Sequence, residues 1–295
     1  MTIKPLLAVA ILGLVYSPIV LAKPAAAQQS PAATQRAIVT IEEPIYANYV
    51  FEVENNSVQR ILSDQVNVRT QPSLQSDIVD TISIGQEVTV VAKSKQVFRS
   101  GNRAANWYQV RYRHAGKERL GYVWGANFSI ASQKLRGYDF LLGVAPAKED
   151  GEVTMVVNVV KEGQLKQQVH FETTQESLSS VRLQWLSNKG LAGIKNILFA
   201  EVSGEACGVP TMQQYMLWDG EKLTALPTLM TVGDAGLYYH TEEYIFPTDK
   251  KGKPNQITMI SEEGEEDGVE GSNNMIVTKT EPTVYFWKNG KIIKK

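Results

Sequence analysis

The chain holds one cysteine, Cys207, in 295 residues, so no internal disulfide is available and stability has to come from packing. It holds three histidines, His114, His170 and His240, with no two at metal-ligand spacing. One cysteine and three dispersed histidines make a poor ligand set for zinc, and no metal or cofactor is expected. Neither sign of charge dominates: 30 Lys and Arg stand against 31 Asp and Glu, a net −1. Nothing in that balance points to nucleic acid as a partner. Helical periodicity is scarce. Apolar residues instead alternate with polar ones over short runs rich in Val, Ile and Thr, and the expected fold class is all-β.

A long apolar run occurs near the N-terminus. Lys4 precedes the run Pro5 to Val15, and small residues follow through Ala25-Ala26-Ala27. That is the pattern of a secretory signal peptide, residues 1–27, with cleavage after Ala27 preferred to cleavage after Ala22. The alternative is an uncleaved anchor, since Leu6 to Ala22 approaches the ~20 apolar residues of a spanning helix. No cysteine follows the run to carry a lipid. A soluble periplasmic or secreted protein, without stable membrane insertion, is the expectation.

At 43% hydrophobic the chain can bury a core, and its length suits one or two domains, of which two is the preferred reading. Residues 28–56 read as a polar linker, Gln28 to Gln35, followed by two strands, Ala37 to Ile41 and Tyr46 to Val53, around Glu42-Glu43-Pro44. They extend the first domain or pack on the second. Between Ser57 and Ser129 ten Lys and Arg face five acids, net +5, whereas Gly137 to Lys295 carries fifteen basic and twenty-two acidic residues, net −7. Opposite halves can dock on each other, one can meet a polyanion, or both can be solvated surfaces.

The most informative stretch is Val66-Asn67-Val68-Arg69-Thr70-Gln71-Pro72-Ser73. Val66 and Val68 face one side of a strand and Asn67 and Arg69 the other, and Pro72 ends it. Ile78 to Ile82 and Glu87 to Ala92 follow as strands with a turn at Gly85, then Asn106-Trp107-Tyr108-Gln109-Val110 and Leu120-Gly121-Tyr122-Val123-Trp124. A small barrel closes these most economically.

In order and type these motifs resemble the bacterial SH3-like domain of secreted and cell-wall-associated proteins, with its opening V-N-V-R-x-x-P-S, a glycine before a V-x-V strand, W-Y-x-V and a final G-Y-V. The resemblance covers residues 57–132 at most, about a quarter of the chain. Two departures, Lys93 to Asn106 and His114 to Arg119, fall where loops belong. The resemblance implies recognition of cell-wall peptide or an envelope protein partner through an aromatic groove and the loop after the first strand. By position the ligand-binding candidates are Asn67, Arg69, Pro72, Trp107, Tyr108, Tyr122 and Trp124. Asn67 and Arg69 can instead hydrogen-bond across the first turn, and Trp107 and Tyr122 can instead be core. Trp124 and Tyr108 are expected as exposed aromatics.

Residues 137–295 read as a β-rich domain of unassigned type. Glu152 to Val160 and Leu165 to Thr173 form a hairpin, Gln175 to Trp185 suggests a short helix by its Leu178, Val181 and Trp185 spacing, and Ile194 to Val202 is a buried strand. Gln214 to Leu223 echoes Thr283 to Ile292; both are hairpins, turning at Asp219-Gly220 and Asn289-Gly290. Tyr244 to Pro247 and Gln256 to Ile260 make another pair. The echo faintly resembles integrin-like propeller blades but lacks their calcium loop, so a meander or sandwich is preferred to a propeller-like domain. Glu262 to Glu270 holds six carboxylates; a solvated loop is preferred to a calcium site.

Cys207 sits in Gly204-Glu205-Ala206-Cys207-Gly208-Val209-Pro210, which reads as a turn. A nucleophilic cysteine would open a helix and face an oriented histidine, and neither is evident around His170 or His240. A free thiol, buried or inert, is expected. The sequence therefore suggests a non-enzymatic exported binding protein. The alternatives are an envelope scaffold or inhibitor acting through the C-terminal domain, and a cysteine hydrolase of the cell wall using Cys207.

Overall fold

The computed structural model describes residues 38–40, 49–101, 103–146, 153–234, 236–268 and 274–295. The segment expected as a signal peptide, the linker Gln28 to Gln35 and Glu42-Glu43-Pro44 lie outside the described residues. The described protein is all-β, with two short 3-10 turns, Gly125–Asn127 and Glu176–Ser179.

The first sheet contains β1 (Ile38–Thr40), β2 (Tyr49–Phe51), β3 (Val58–Arg60), β4 (Val66–Arg69), β5 (Ile78–Ile82), β6 (Glu87–Ser100), β7 (Arg103–His114) and β8 (Lys117–Trp124). Its order is β1-β2-β7-β8-β4-β5, and β6 bridges β3 and β7. Alternation sets the faces: Val66 and Val68 are buried and Asn67 exposed. The inward residues close a core of Ile61, Val66, Val68, Ile82, Val88, Val90, Tyr108, Val110, Tyr112, Val123 and Phe128. Gly121 is required by close approach, because a Cβ there would collide with the Val68 side chain. The N-terminal strands extend this sheet, β2 pairing with β7 in parallel at Val50 and Ala104.

Both regions expected as loops are largely strand. β6 and β7 pair as far as Ser100 and Arg103 through two bulges, because Val97 and Phe98 continue the β-branched and aromatic run. The other turn is tight: β7 ends at His114 and β8 begins at Lys117, with Ala115 and Gly116 both at positive φ.

The next sheet is a four-stranded antiparallel meander of β9 (Ala131–Leu135), β10 (Tyr138–Val144), β11 (Val153–Lys161) and β12 (Gln164–Thr173). β10 and β11 are buried on both faces, which explains their near-continuous apolar runs. On one face Leu141 and Val160 pack against Leu62 and Ile84 of the barrel. There Asn158 donates from Nδ2 to the Leu62 carbonyl at 2.8 Å, and Arg60 pairs with Asp139 at 3.0 Å. The opposite face, with Phe140, Leu142, Met155, Val157 and Val159, packs on the third sheet.

That sheet comprises β13 (Ser180–Leu186), β14 (Asn196–Ser203), β15 (Thr211–Trp218), β16 (Leu223–Ala225), β17 (Leu229–Asp234), β18 (Tyr238–Ile245), β19 (Gln256–Glu266), β20 (Met275–Lys288) and β21 (Lys291–Lys294). These nine strands form one continuous antiparallel sheet rather than separate propeller blades. The expected hairpins are present, with Asn289 and Gly290 both at positive φ. Two expectations change. Past Glu176–Ser179, the segment expected as helix is strand, because Val181, Leu183 and Trp185 alternate at period two and pair with β14. Glu262–Glu266 lie in β19, paired on both sides, rather than in a loop.

Candidate functional site

A cleft of about 210 Å³ opens on the barrel beside β4. Asn67 and Arg69 reach it from β4, Asp64 and Gln65 from the preceding turn, Leu74 from the following one and Asn127 from the chain after β8. Trp107, Trp124 and Phe98 supply its aromatic lining.

Strand pairing explains the aromatic cluster. Trp107 and Trp124 lie directly opposite on β7 and β8, so their rings share a face. The extended ribbon places Phe98 over them, its centroid 5.0 Å from Trp124 in an edge-on arrangement and 6.3 Å from Trp107. Trp124 Nε1 donates to the carbonyls of both Phe98 and Ala105 at 3.1 Å. The Arg103 guanidinium lies over the Trp124 ring, 5.0 Å from its centroid, a cation–π contact. Burial lowers the pKa of that guanidinium below its ordinary value.

Four of the seven sequence candidates, Asn67, Arg69, Trp107 and Trp124, line this cleft. The expectation of an exposed Trp124 is corrected: it is 7% exposed, with Trp107 at 4%, because Phe98 and the ribbon cover them. Tyr108 is corrected further. It neighbours Trp107 on one strand and so points to the opposite face. There it is fully buried, packs on Phe128 and accepts the Val53 N–H at 3.2 Å. Tyr122 is half-buried on the Trp107 face but outside the cleft lining. Pro72 lies in the turn after β4. Arg69 makes the cross-turn bond, donating from Nη1 to the Ser76 carbonyl at 2.6 Å, while Ser76 Oγ donates to the carbonyls of Ser73 and Gln71. The turn beside the cleft is thereby pinned.

Sequence reasoning missed Phe98, Leu74, Asp64 and Asn127. Phe98 falls in a stretch that reads as a loop; its signal is the adjacent apolar pair Val97-Phe98 before Gly101.

This architecture and its motifs coincide with a known family. The chain matches the family model for the bacterial SH3 domain over residues 64–129. That segment is a bacterial SH3 domain. No curated protein and no solved structure matches the chain. The SH3 match begins at Asp64 on the cleft rim and ends at Ser129, before β9, so it contains every residue named here as lining the cleft.

Chemically, the SH3 cleft offers apolar ring surface, three carboxamides, one carboxylate and one guanidinium. That set suits an extended peptide, whose side chains meet the rings and whose backbone amides meet Asn67 and Asn127. Away from the domain, Cys207 is exposed rather than buried, in a turn held by Gly208 N–H donating to the Gly233 carbonyl at 2.9 Å. His170 is exposed on β12, and His240 on β18 lies 3.4 Å from both Glu242 and Glu263. Among the described residues, no group of three His, Cys, Asp or Glu is placed to hold a metal ion.

Proposed function

We propose that this is an exported, non-enzymatic protein whose SH3 domain binds a peptide of the cell wall or of an envelope protein in the cleft beside β4. The observation that carries the reading is the aromatic cleft itself, with Trp107, Trp124 and Phe98 against the polar rim of Asn67, Asp64 and Asn127. A pocket of this size takes a few residues of extended chain rather than a folded partner. Export follows from the N-terminal pattern of Lys4, apolar run and Ala25-Ala26-Ala27. The net +5 over residues 57–129 favours anionic wall polymers and makes retention weaken as salt rises.

The test is co-sedimentation of the mature chain with insoluble peptidoglycan. Leu74 is 43% exposed at the cleft, so Leu74→Asp changes the rim without opening the core. Wild type is expected in the pellet and Leu74→Asp in the supernatant with an unchanged melting temperature. Equal retention of both, or none of wild type, sinks the reading.

A further inference from the structure

A second and larger cleft, about 370 Å³, lies between the SH3 domain and the four-stranded sheet. Leu62, Asp64 and Arg103 line it from the barrel side, and Asn158, Gln168 and His170 from β11 and β12. Asp64 also borders the aromatic cleft, so the two share an edge. Arg103 stands at the other point of contact, stacked on the Trp124 ring that lines the first cleft while itself lining the second.

The guanidinium is under-used. Its described hydrogen bond is a long one, Nη1 donating to the Ala126 carbonyl at 3.4 Å. Its Nε is buried with no acceptor, and among the described residues no carboxylate lies within ion-pair distance. A partly dehydrated cation without a counter-charge is costly unless an anion completes it. Across the cleft the Asn158 amide is committed at both ends, its Nδ2 donating to the Leu62 carbonyl and its Oδ1 accepting from Gln168 Nε2 at 2.9 Å. Asp64 sits on the shared rim and repels a second anionic group there, so the cleft favours one carboxylate near Arg103 beside a neutral or cationic neighbour. His170 is the other titratable group lining the cleft.

We propose that this inter-sheet cleft holds the carboxylate of a short extended peptide whose apolar part lies in the aromatic cleft, with Arg103 as its cation. The proposal rests on the peptide-binding reading above and adds to it the chemical class of the ligand and a contribution from the sheet outside the SH3 domain.

The test uses the mature full-length chain and muramidase-released soluble peptidoglycan fragments, either untreated or with their carboxyls amidated, in equilibrium binding. Wild type should bind untreated fragments at least about tenfold more tightly than amidated ones, the size of one lost charge-assisted contact. Arg103→Gln should lose as much with untreated fragments and nothing further with amidated ones. Equal binding of both fragment types to wild type overturns the proposal without involving a variant. So does an Arg103→Gln that weakens both types alike, which would trace its effect to the Trp124 stack. Failure of wild type to bind either type overturns the peptide-binding reading, and the carboxylate assignment with it.

Discussion

The ring of Phe98 stands edge-on to Trp124 at 5.0 Å, and its carbonyl accepts the Trp124 indole N–H at 3.1 Å. One residue from an extended ribbon thus both covers and orients the tryptophan that lines the cleft. Phe98→Ala should cost about 1–2 kcal/mol, less than for a fully buried ring because Phe98 is half-exposed, and should weaken ligand binding together with stability. Denaturant titration and peptidoglycan co-sedimentation on one preparation check both.

Trp124→Ala belongs to a different class. The side chain is 7% exposed and hydrogen-bonded to two carbonyls, so truncation opens a cavity and should destabilise the domain by about 3–5 kcal/mol. Equilibrium unfolding that gave less than about 1 kcal/mol would show that the ring is not packed as described.

The seam between barrel and meander is tested at Gly143. Its φ is not positive, so any cost of Gly143→Ala is steric: the new Cβ would collide with the Leu62 side chain. Leu62 belongs to the small cluster with Ile84, Leu141 and Val160. The expected loss is about 1–3 kcal/mol, and Gly143→Ala with Leu62→Val should recover part of it. Additive losses in a double-mutant cycle would contradict the contact.

Alkali should weaken the barrel through Tyr112. Burial, then the nearby Asp80 carboxylate and the hydrogen bond from Tyr112 to it at 3.3 Å, push the phenol from 10.0 up to about 12. The folded state therefore holds this proton more tightly than the unfolded chain. Its contribution is fully present below pH 10 and is lost as pH rises through about 12. Melting temperature should fall across that window, less steeply in Tyr112→Phe. An identical slope in wild type and variant would remove Tyr112 as a cause.

Alternation at period two made the barrel strands legible, because Val66 and Val68 against Asn67 and Arg69 leave one choice of face. The hairpins of the third sheet were equally readable from their turn residues. The ribbon beyond Lys93 is not: the register shift between Lys93 and Val97 breaks the strict alternation, so Phe98 reads as loop. Val181 fooled the reading differently, standing three residues from Leu178 and two from Leu183, and only pairing with β14 selects the strand period. The motif makes both Trp107 and Tyr108 ligand candidates, although adjacent strand residues face opposite ways. Arg103 and the inter-sheet cleft were beyond reach, since they depend on how the meander docks on the barrel.

The central claim, that the aromatic cleft receives the ligand, is tested most directly by the indole N–H signals of the five tryptophans in an NMR titration with muramidase-released peptidoglycan fragments. Trp107 and Trp124 line the cleft, whereas Trp185 and Trp218 belong to the core between the meander and the third sheet and Trp287 to the far end of that sheet. Saturable shifts of Trp107 and Trp124 with the other three unmoved are the predicted result, and shifts confined to Trp185, Trp218 or Trp287, or none at all, would contradict it.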